Sequence, residues 1–212
     1  MGVPVHQRRA ALVDAALRVL SREGLAATST RAIVEEAGMS LASLHYAFDS
    51  RDALLEAVVE RVVRDEREAV HAVFASGAGA QRGVETSDAT GDAVLRHFVR
   101  NGMERYMQTV VQHPGREHGM LELTLDASRH DDSRALVRSQ YDSYRSLVAD
   151  LLVEAGQISG TRWRVPVDEI ATVVVALTDG LTIAHIVDGV APVLALDTVV
   201  AAILVHADTR SL

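Results

Sequence analysis

Apolar residues recur at helical spacing along almost the whole chain, and no segment alternates with period two for long enough to make a strand. The chain is therefore read as all-α. Over 6–23, Leu12, Ala15, Ala16, Val19 and Leu20 fall on one stripe, and Gly24 is placed to end the helix. Thr28, Ser29 and Thr30 can cap a short helix over 29–37, which Gly38 stops. Ser40 can cap a third, over 41–48. A long helix over 51–75 carries Leu54, Leu55, Val58, Val59, Val62 and Val63 on one face and i,i+4 ion pairs such as Glu60/Arg64 on the other. Residues 76–92 are rich in Gly, Ser, Thr and Asp without an apolar period, and read as a mobile loop. Further helices are expected over 93–112, 115–129, 132–155 (ended by Gly156), 167–188 and 192–208. The organisation this predicts is a three-helix domain over 1–50, a connecting helix over 51–75, the loop, and a helical C-terminal domain over 93–212.

Composition narrows the function. Apolar residues make up 48% of 212, enough for a core, but aromatics only 4%, which suits helices better than a sandwich or barrel. Cys is absent, so disulfides, thiolate zinc sites and cysteine nucleophiles are excluded. The net charge of −8 argues on average against a polyanionic partner. The average hides an asymmetry: residues 1–50 hold five Arg and five acids, and the remainder carries the whole −8. The N-terminal part can therefore still face a polyanion. Every basic residue is Arg, so a phosphate contact would come from guanidinium, hydroxyl, imidazole or backbone groups. Asp179, His185, Asp188, Pro192 and Asp197 interrupt the late apolar segments, and no signal peptide is read at the start, so a soluble cytoplasmic protein is expected.

The informative stretch is 28–55. Gly38 allows a sharp turn between two short helices, and Ile33, Val34, Ala37, Leu44 and Phe48 supply an apolar seam. This is the pattern of a helix-turn-helix, whose second helix enters the major groove with its N-terminal residues at base edges. The outward side of that helix would be Ser40, Leu41, Ala42, Ser43, His45 and Tyr46, with no acid among them. Such residues suit phosphate and base-edge contacts. The same spacing also occurs in ordinary helical bundles, where His45 or Tyr46 would pack.

Residues 8–55 resemble the DNA-binding domain of the tetracycline-repressor (TetR) family of bacterial transcription regulators. The resemblance rests on Gly24 through Thr28-Ser29, Ile33, Ala37-Gly38-Met39-Ser40, Leu44, Phe48, Ser50-Arg51 and Leu54-Leu55. It implies that Thr28 or Ser29, Arg31, Ser40, Tyr46 and Arg51 lie along DNA phosphates and that residues 40–45 read bases. The departures are the order His45-Tyr46, Arg51 where Lys is usual, Ala42 where Gly is common, and Val34 where Ala is usual.

Thr178-Asp179-Gly180-Leu181 is similar to a step in TetR-type C-terminal domains. That resemblance implies that the last two helices pair with a second copy. Independently, Val173, Val174, Leu177, Leu181, Ala184 and residues 199–205, including Val199 and Ile203, are apolar over more than one stripe and need covering on two sides. The resemblance further implies a small-molecule pocket between middle helices. Its candidate liners are Phe98, Met103, Tyr106, Met107, Met120, Leu121, Leu125, Tyr141, Tyr144 and Leu147, with His97, Glu122 and Thr178 as polar handles. An apolar or amphipathic effector would suit them.

The function expected is a homodimeric repressor of double-stranded operator DNA, released by a small molecule, with no cofactor, metal, catalytic residue or membrane partner. The alternatives are an all-α interaction module without DNA binding, or a helical metalloenzyme. The spacing of His113, Glu117 and His118 around Pro114-Gly115 matches no zinc-hydrolase motif.

Overall fold

The computed structural model describes residues 4–81, 91–189 and 193–208. Among these are nine helices: α1 (Val5–Glu23), α2 (Thr30–Glu36), α3 (Leu41–Ala47), α4 (Arg51–Gln81), α5 (Gly91–Gln112), α6 (Pro114–Ala127), α7 (Asp131–Ser159), α8 (Val167–Asp188) and α9 (Val193–Leu204). α4 extends through 76–81 and α5 starts at Gly91, both inside the stretch 76–92 expected as a loop; residues 82–90 of that stretch lie outside the described residues.

One strand pair corrects the expectation of none. β1 (Arg162–Trp163) pairs antiparallel with β2 (Ala207–Asp208), where the last helix was expected to continue. Two residues per strand are too few for any period to register. Gly156 likewise does not end α7. It sits inside the helix because a Cβ there would meet the Trp163 Nε1 at 3.0 Å and the Thr161 carbonyl oxygen at 3.2 Å. That indole donates to the Leu152 carbonyl at 2.9 Å.

The chain forms two compact units. The first comprises Met1–Asp65 and His113–Tyr141, so α6 and the start of α7 cluster with the N-terminal helices rather than with 93–212. Its core joins Leu12, Ala16 and Leu20 of α1 to Ile33, Leu44, Phe48, Leu54 and Val58, and to Met120 and Leu123 of α6. α6 reaches α1 closely because Gly115 and Gly119 face it. A Cβ on Gly115 would lie 2.2 Å from the Ser21 carbonyl oxygen, and one on Gly119 2.7 Å from Leu20 Cγ.

The second unit comprises Glu66–Gln112 and Asp142–Leu212. Its core takes Leu95, Phe98, Met103, Met107 and Val110 from α5, Leu152 from α7, Ile170, Ala171, Val174 and Leu181 from α8, and Leu196, Val199, Val200 and Ile203 from α9. Of the residues expected at a subunit interface, Leu181, Val199 and Ile203 are thus taken up by the chain's own core, and Leu177 packs against it half-buried. A side chain already covered by its own fold has little area left for a second copy. Val173, by contrast, is 52% exposed. It begins a stripe of exposed residues at alternating spacings of three and four along α8: Val173, Ala176, Gly180, Ile183 and Val187. α8 has a mean hydropathy of 1.9 over a window long enough to cross a membrane, but its other face is core.

Candidate nucleic-acid interface

The local chemistry of 24–51 explains how α3 is presented. Ser29 Oγ accepts from the Ala32 amide and Ser40 Oγ from the Ser43 amide, both at 3.2 Å, so α2 and α3 each start on a serine cap. Gly38 between them has φ +63°, a conformation that would strain any other residue. Leu44, Ala47 and Phe48 are buried, which fixes the roll of α3. Ser40, Leu41, Ala42, His45 and Tyr46 are then exposed, and Ser43 is half-buried with its hydroxyl 3.0 Å from that of Ser40. Arg31, on α2, is also exposed.

Two arginines of α1 flank this face. The Arg8 guanidinium lies 5.3 Å from the centre of the Tyr46 ring. Arg9 lies 4.0 Å over the Phe48 ring and donates to the Ala47 carbonyl. Neither pairing is visible in the sequence, because nothing in the spacing of 8–9 and 46–48 connects them.

Thr28 and Arg51 are placed differently from the other candidates. Thr28 is fully buried, and its hydroxyl donates to the Gly24 carbonyl at 2.7 Å. Arg51 is half-buried; its Nε donates to the Thr28 carbonyl at 2.7 Å and its Nη2 to the Leu25 carbonyl at 3.0 Å. Both side chains hold the turn before α2 together from within. The same turn is gripped from α6: the Leu25 amide donates to Glu122 Oε2 at 2.6 Å, beside Gly24 at φ +81°. Glu122, expected as a ligand handle, is thus occupied with the head. His118 Nε2 lies 3.7 Å from its other oxygen.

Several acids of this unit are paired with its arginines. Arg18 and Arg22 bond Glu36 at 2.6 and 3.0 Å. Arg18 first, then Arg22, holds the Glu36 carboxyl below its ordinary value of 4.5. Glu23 and Glu36 in turn raise Arg22. On α4, Asp65 and then Asp14 raise Arg61, which bonds Asp65 at 2.7 Å and Asp14 at 3.0 Å.

The expected ligand residues are not brought together in one unit. Phe98, Met103, Met107 and Leu147 are buried in the second unit, with Tyr144 and Thr178 half-buried. His97 is exposed and bonds Asn101 at 3.0 Å. Met120, Leu121, Leu125 and Tyr141 belong to the first unit, Met120 in its core and Leu125 61% exposed. Within the second unit, the Tyr106 hydroxyl lies 2.7 Å from Thr182 Oγ1, which donates to the Thr178 carbonyl at 3.0 Å. Thr182 and the buried His185, one turn further along α8, were not singled out from the sequence. Their place at i+4 and i+7 from Thr178 was the available signal.

Two family descriptions match the chain. "Bacterial regulatory proteins, tetR family" covers residues 12–58, and "BetI-type transcriptional repressor, C-terminal" covers 96–210. The chain is 23% identical over 188 residues to the HTH-type nicotine-responsive transcriptional repressor HdnoR of Paenarthrobacter nicotinovorans, covering 89% of this chain and 88% of that one. A TetR transcription regulator from Haloarcula marismortui shares the fold with a TM-score of 0.68 at 18% identity, covering 95% of this chain and 96% of that one. The Bacillus subtilis regulator FadR, in complex with stearoyl-CoA, shares it with a TM-score of 0.65 at 13% identity, covering 92% and 96%. With its helix-turn-helix matched by one description and more than half its length by the other, the chain belongs to the TetR family of DNA-binding bacterial transcription regulators.

Proposed function

We propose that the protein is a homodimeric, cytoplasmic repressor that holds operator DNA through two copies of α3 and releases it on binding a small organic effector in its C-terminal half. The observation that carries this reading is the exposed face of α3. Ser40, Leu41, Ala42, His45 and Tyr46 carry no acid, and Arg8 stands over Tyr46. These groups can approach phosphates and base edges without charge repulsion. Thr28 and Arg51, as internal braces, would act on DNA only through the placement of α2 and α3.

Dimerisation is supported by the exposed α8 stripe together with Val205 near the end of α9, which is 62% exposed. Covering such a stripe with a second copy buries apolar area that a monomer leaves in water. The effector is supported by the nicotine-responsive relative, which aligns with 89% of the chain, and by the fold shared with FadR holding stearoyl-CoA. An effector that binds better to one spacing of the two heads shifts the population toward it. Two half-sites one DNA turn apart, roughly 34 Å, demand one particular spacing.

The test is fluorescence anisotropy of the full chain on duplex flanking its own gene, against random duplex of equal length. The reading predicts a preference for the flanking DNA and an affinity that falls steeply with salt as counterions are released. Equal binding to both duplexes at physiological salt would overturn it.

A further inference from the structure

Among the described residues, the second unit contains one buried polar side chain with an unsatisfied atom. His185 is 9% exposed, and its Nδ1 is shut off from solvent without a hydrogen-bond partner among the described residues. Buried polar atoms are normally paired, and a lone exception calls for an account. His185 does not stand alone on its helix. Thr178, Thr182 and His185 follow one another at i, i+4 and i+7, so they lie along one side of α8. Nearer the start of the helix the same side is apolar, with Ala171, Val174 and Val175 buried. From α5, the Tyr106 hydroxyl meets Thr182 Oγ1 at 2.7 Å, so the hydroxyl pair sits one turn from the imidazole. The exposed stripe of Val173, Gly180 and Val187 lies on the opposite side of α8, so a second copy docked there would not reach Nδ1.

We infer that His185 Nδ1 is the hydrogen-bonding anchor of the effector site, and that the ligand is an uncharged, mainly apolar molecule carrying one hydrogen-bonding group. The inference rests on the effector-released reading above and specifies its chemistry. Imidazole Nδ1 donates or accepts according to tautomer, so a single hydroxyl or carbonyl can be matched there. Phe98, Met103, Met107 and Leu181 belong to the apolar core of the same unit. The buried polar side chains described in the unit are Thr161, Thr182 and His185, with no buried carboxylate or guanidinium among them. A charged ligand group would therefore be desolvated without a fixed counter-charge.

The test uses the full chain and matched aromatic probes: phenol and acetophenone, their methyl counterparts toluene and ethylbenzene, and benzoate. Binding is read by calorimetry and by the thermal melt. Phenol or acetophenone is expected to bind more tightly than its methyl counterpart and than benzoate. His185→Leu is expected to weaken that probe by roughly tenfold, the scale of one lost hydrogen bond, and to leave toluene unchanged. His185→Asn, which keeps a polar atom near Nδ1, is expected to restore part of the loss. Without ligand, His185→Leu should melt no lower than wild type, because it removes an unsatisfied buried group. A lowered melt would instead show a structural histidine and overturn the inference. So would equal affinity for hydroxyl and methyl probes, a preference that survives His185→Leu, or no binding by any probe. Operator binding without probe is measured alongside; its absence would sink the regulator reading while leaving the probe result to judge His185.

Discussion

The carboxylate of Glu122 on α6 accepts a 2.6 Å hydrogen bond from the backbone amide of Leu25, a residue 97 positions earlier at the turn that leads into the helix-turn-helix. A carboxylate bonded to an amide is stronger than a neutral pair, and an amide left unpaired in a part-buried turn is costly. Glu122→Ala is therefore expected to lower the unfolding free energy by about 1–3 kcal/mol, and Glu122→Gln by less. Urea denaturation of the two variants checks this; equal stability of Glu122→Ala and wild type would refute it.

The same contact zone depends on two glycines. At Gly115 an added Cβ would press on the backbone oxygen of Ser21, and at Gly119 mainly on the side chain of Leu20. A side chain can yield more readily than backbone. Gly115→Ala is expected to destabilise the protein by about 1–3 kcal/mol and Gly119→Ala by less, since overpacking costs most where nothing can move. The order of the two denaturation midpoints is the readout.

Tyr46 and Arg51 should separate DNA contact from internal support. Tyr46 is 68% exposed, so Tyr46→Ala is expected to change stability by no more than about 0.5 kcal/mol while weakening operator binding about tenfold. Arg51 bonds two carbonyls of its own chain, so Arg51→Ala is expected to cost about 1.5–3 kcal/mol of stability. Paired melting and anisotropy measurements decide it; an Arg51→Ala protein of wild-type stability would return Arg51 to the DNA-facing set.

Acid should loosen α1 from α2. Arg18 and Arg22 hold the Glu36 carboxyl below 4.5, so its folded value lies below its unfolded one. The stabilisation is thus fully present above that unfolded value and is lost as pH falls through the lowered one. The melting difference between wild type and Glu36→Gln is expected to shrink as pH is taken from neutral to well below 4.5, and to shrink also with added salt, since the pair is exposed. A difference that grows on acidification would contradict this.

Local patterning carried much of the architecture. The stripe ending at Gly24, the serine caps at 29 and 40 and the helix over 167–188 all depend on residues within a turn or two of each other, and the structure follows them. What escaped the sequence depends on partners far along the chain. Gly156 reads as a helix end until Trp163 is packed against it. Glu122 reads as a pocket residue until the Leu25 amide is placed beside it. Arg51 reads as a phosphate contact; that two of its N–H groups bond the carbonyls of Leu25 and Thr28 could not be read from the sequence. On α8 the two apolar stripes were legible, but which one the chain buries itself was not. That choice is made by α5 and α9 packing on Ile170, Val174 and Leu181.

The most direct measurement is a nuclease footprint of the wild-type protein and Ala42→Glu on the DNA flanking its gene. Ala42 is exposed at the start of α3, so the substitution adds an acid to the proposed groove-facing surface without disturbing the core. Wild type is expected to protect two half-sites with centres roughly 34 Å apart. Ala42→Glu, with unchanged melting temperature and oligomeric state, is expected to protect neither. Protection by Ala42→Glu equal to that of wild type would contradict the assignment of α3 as the DNA-reading helix.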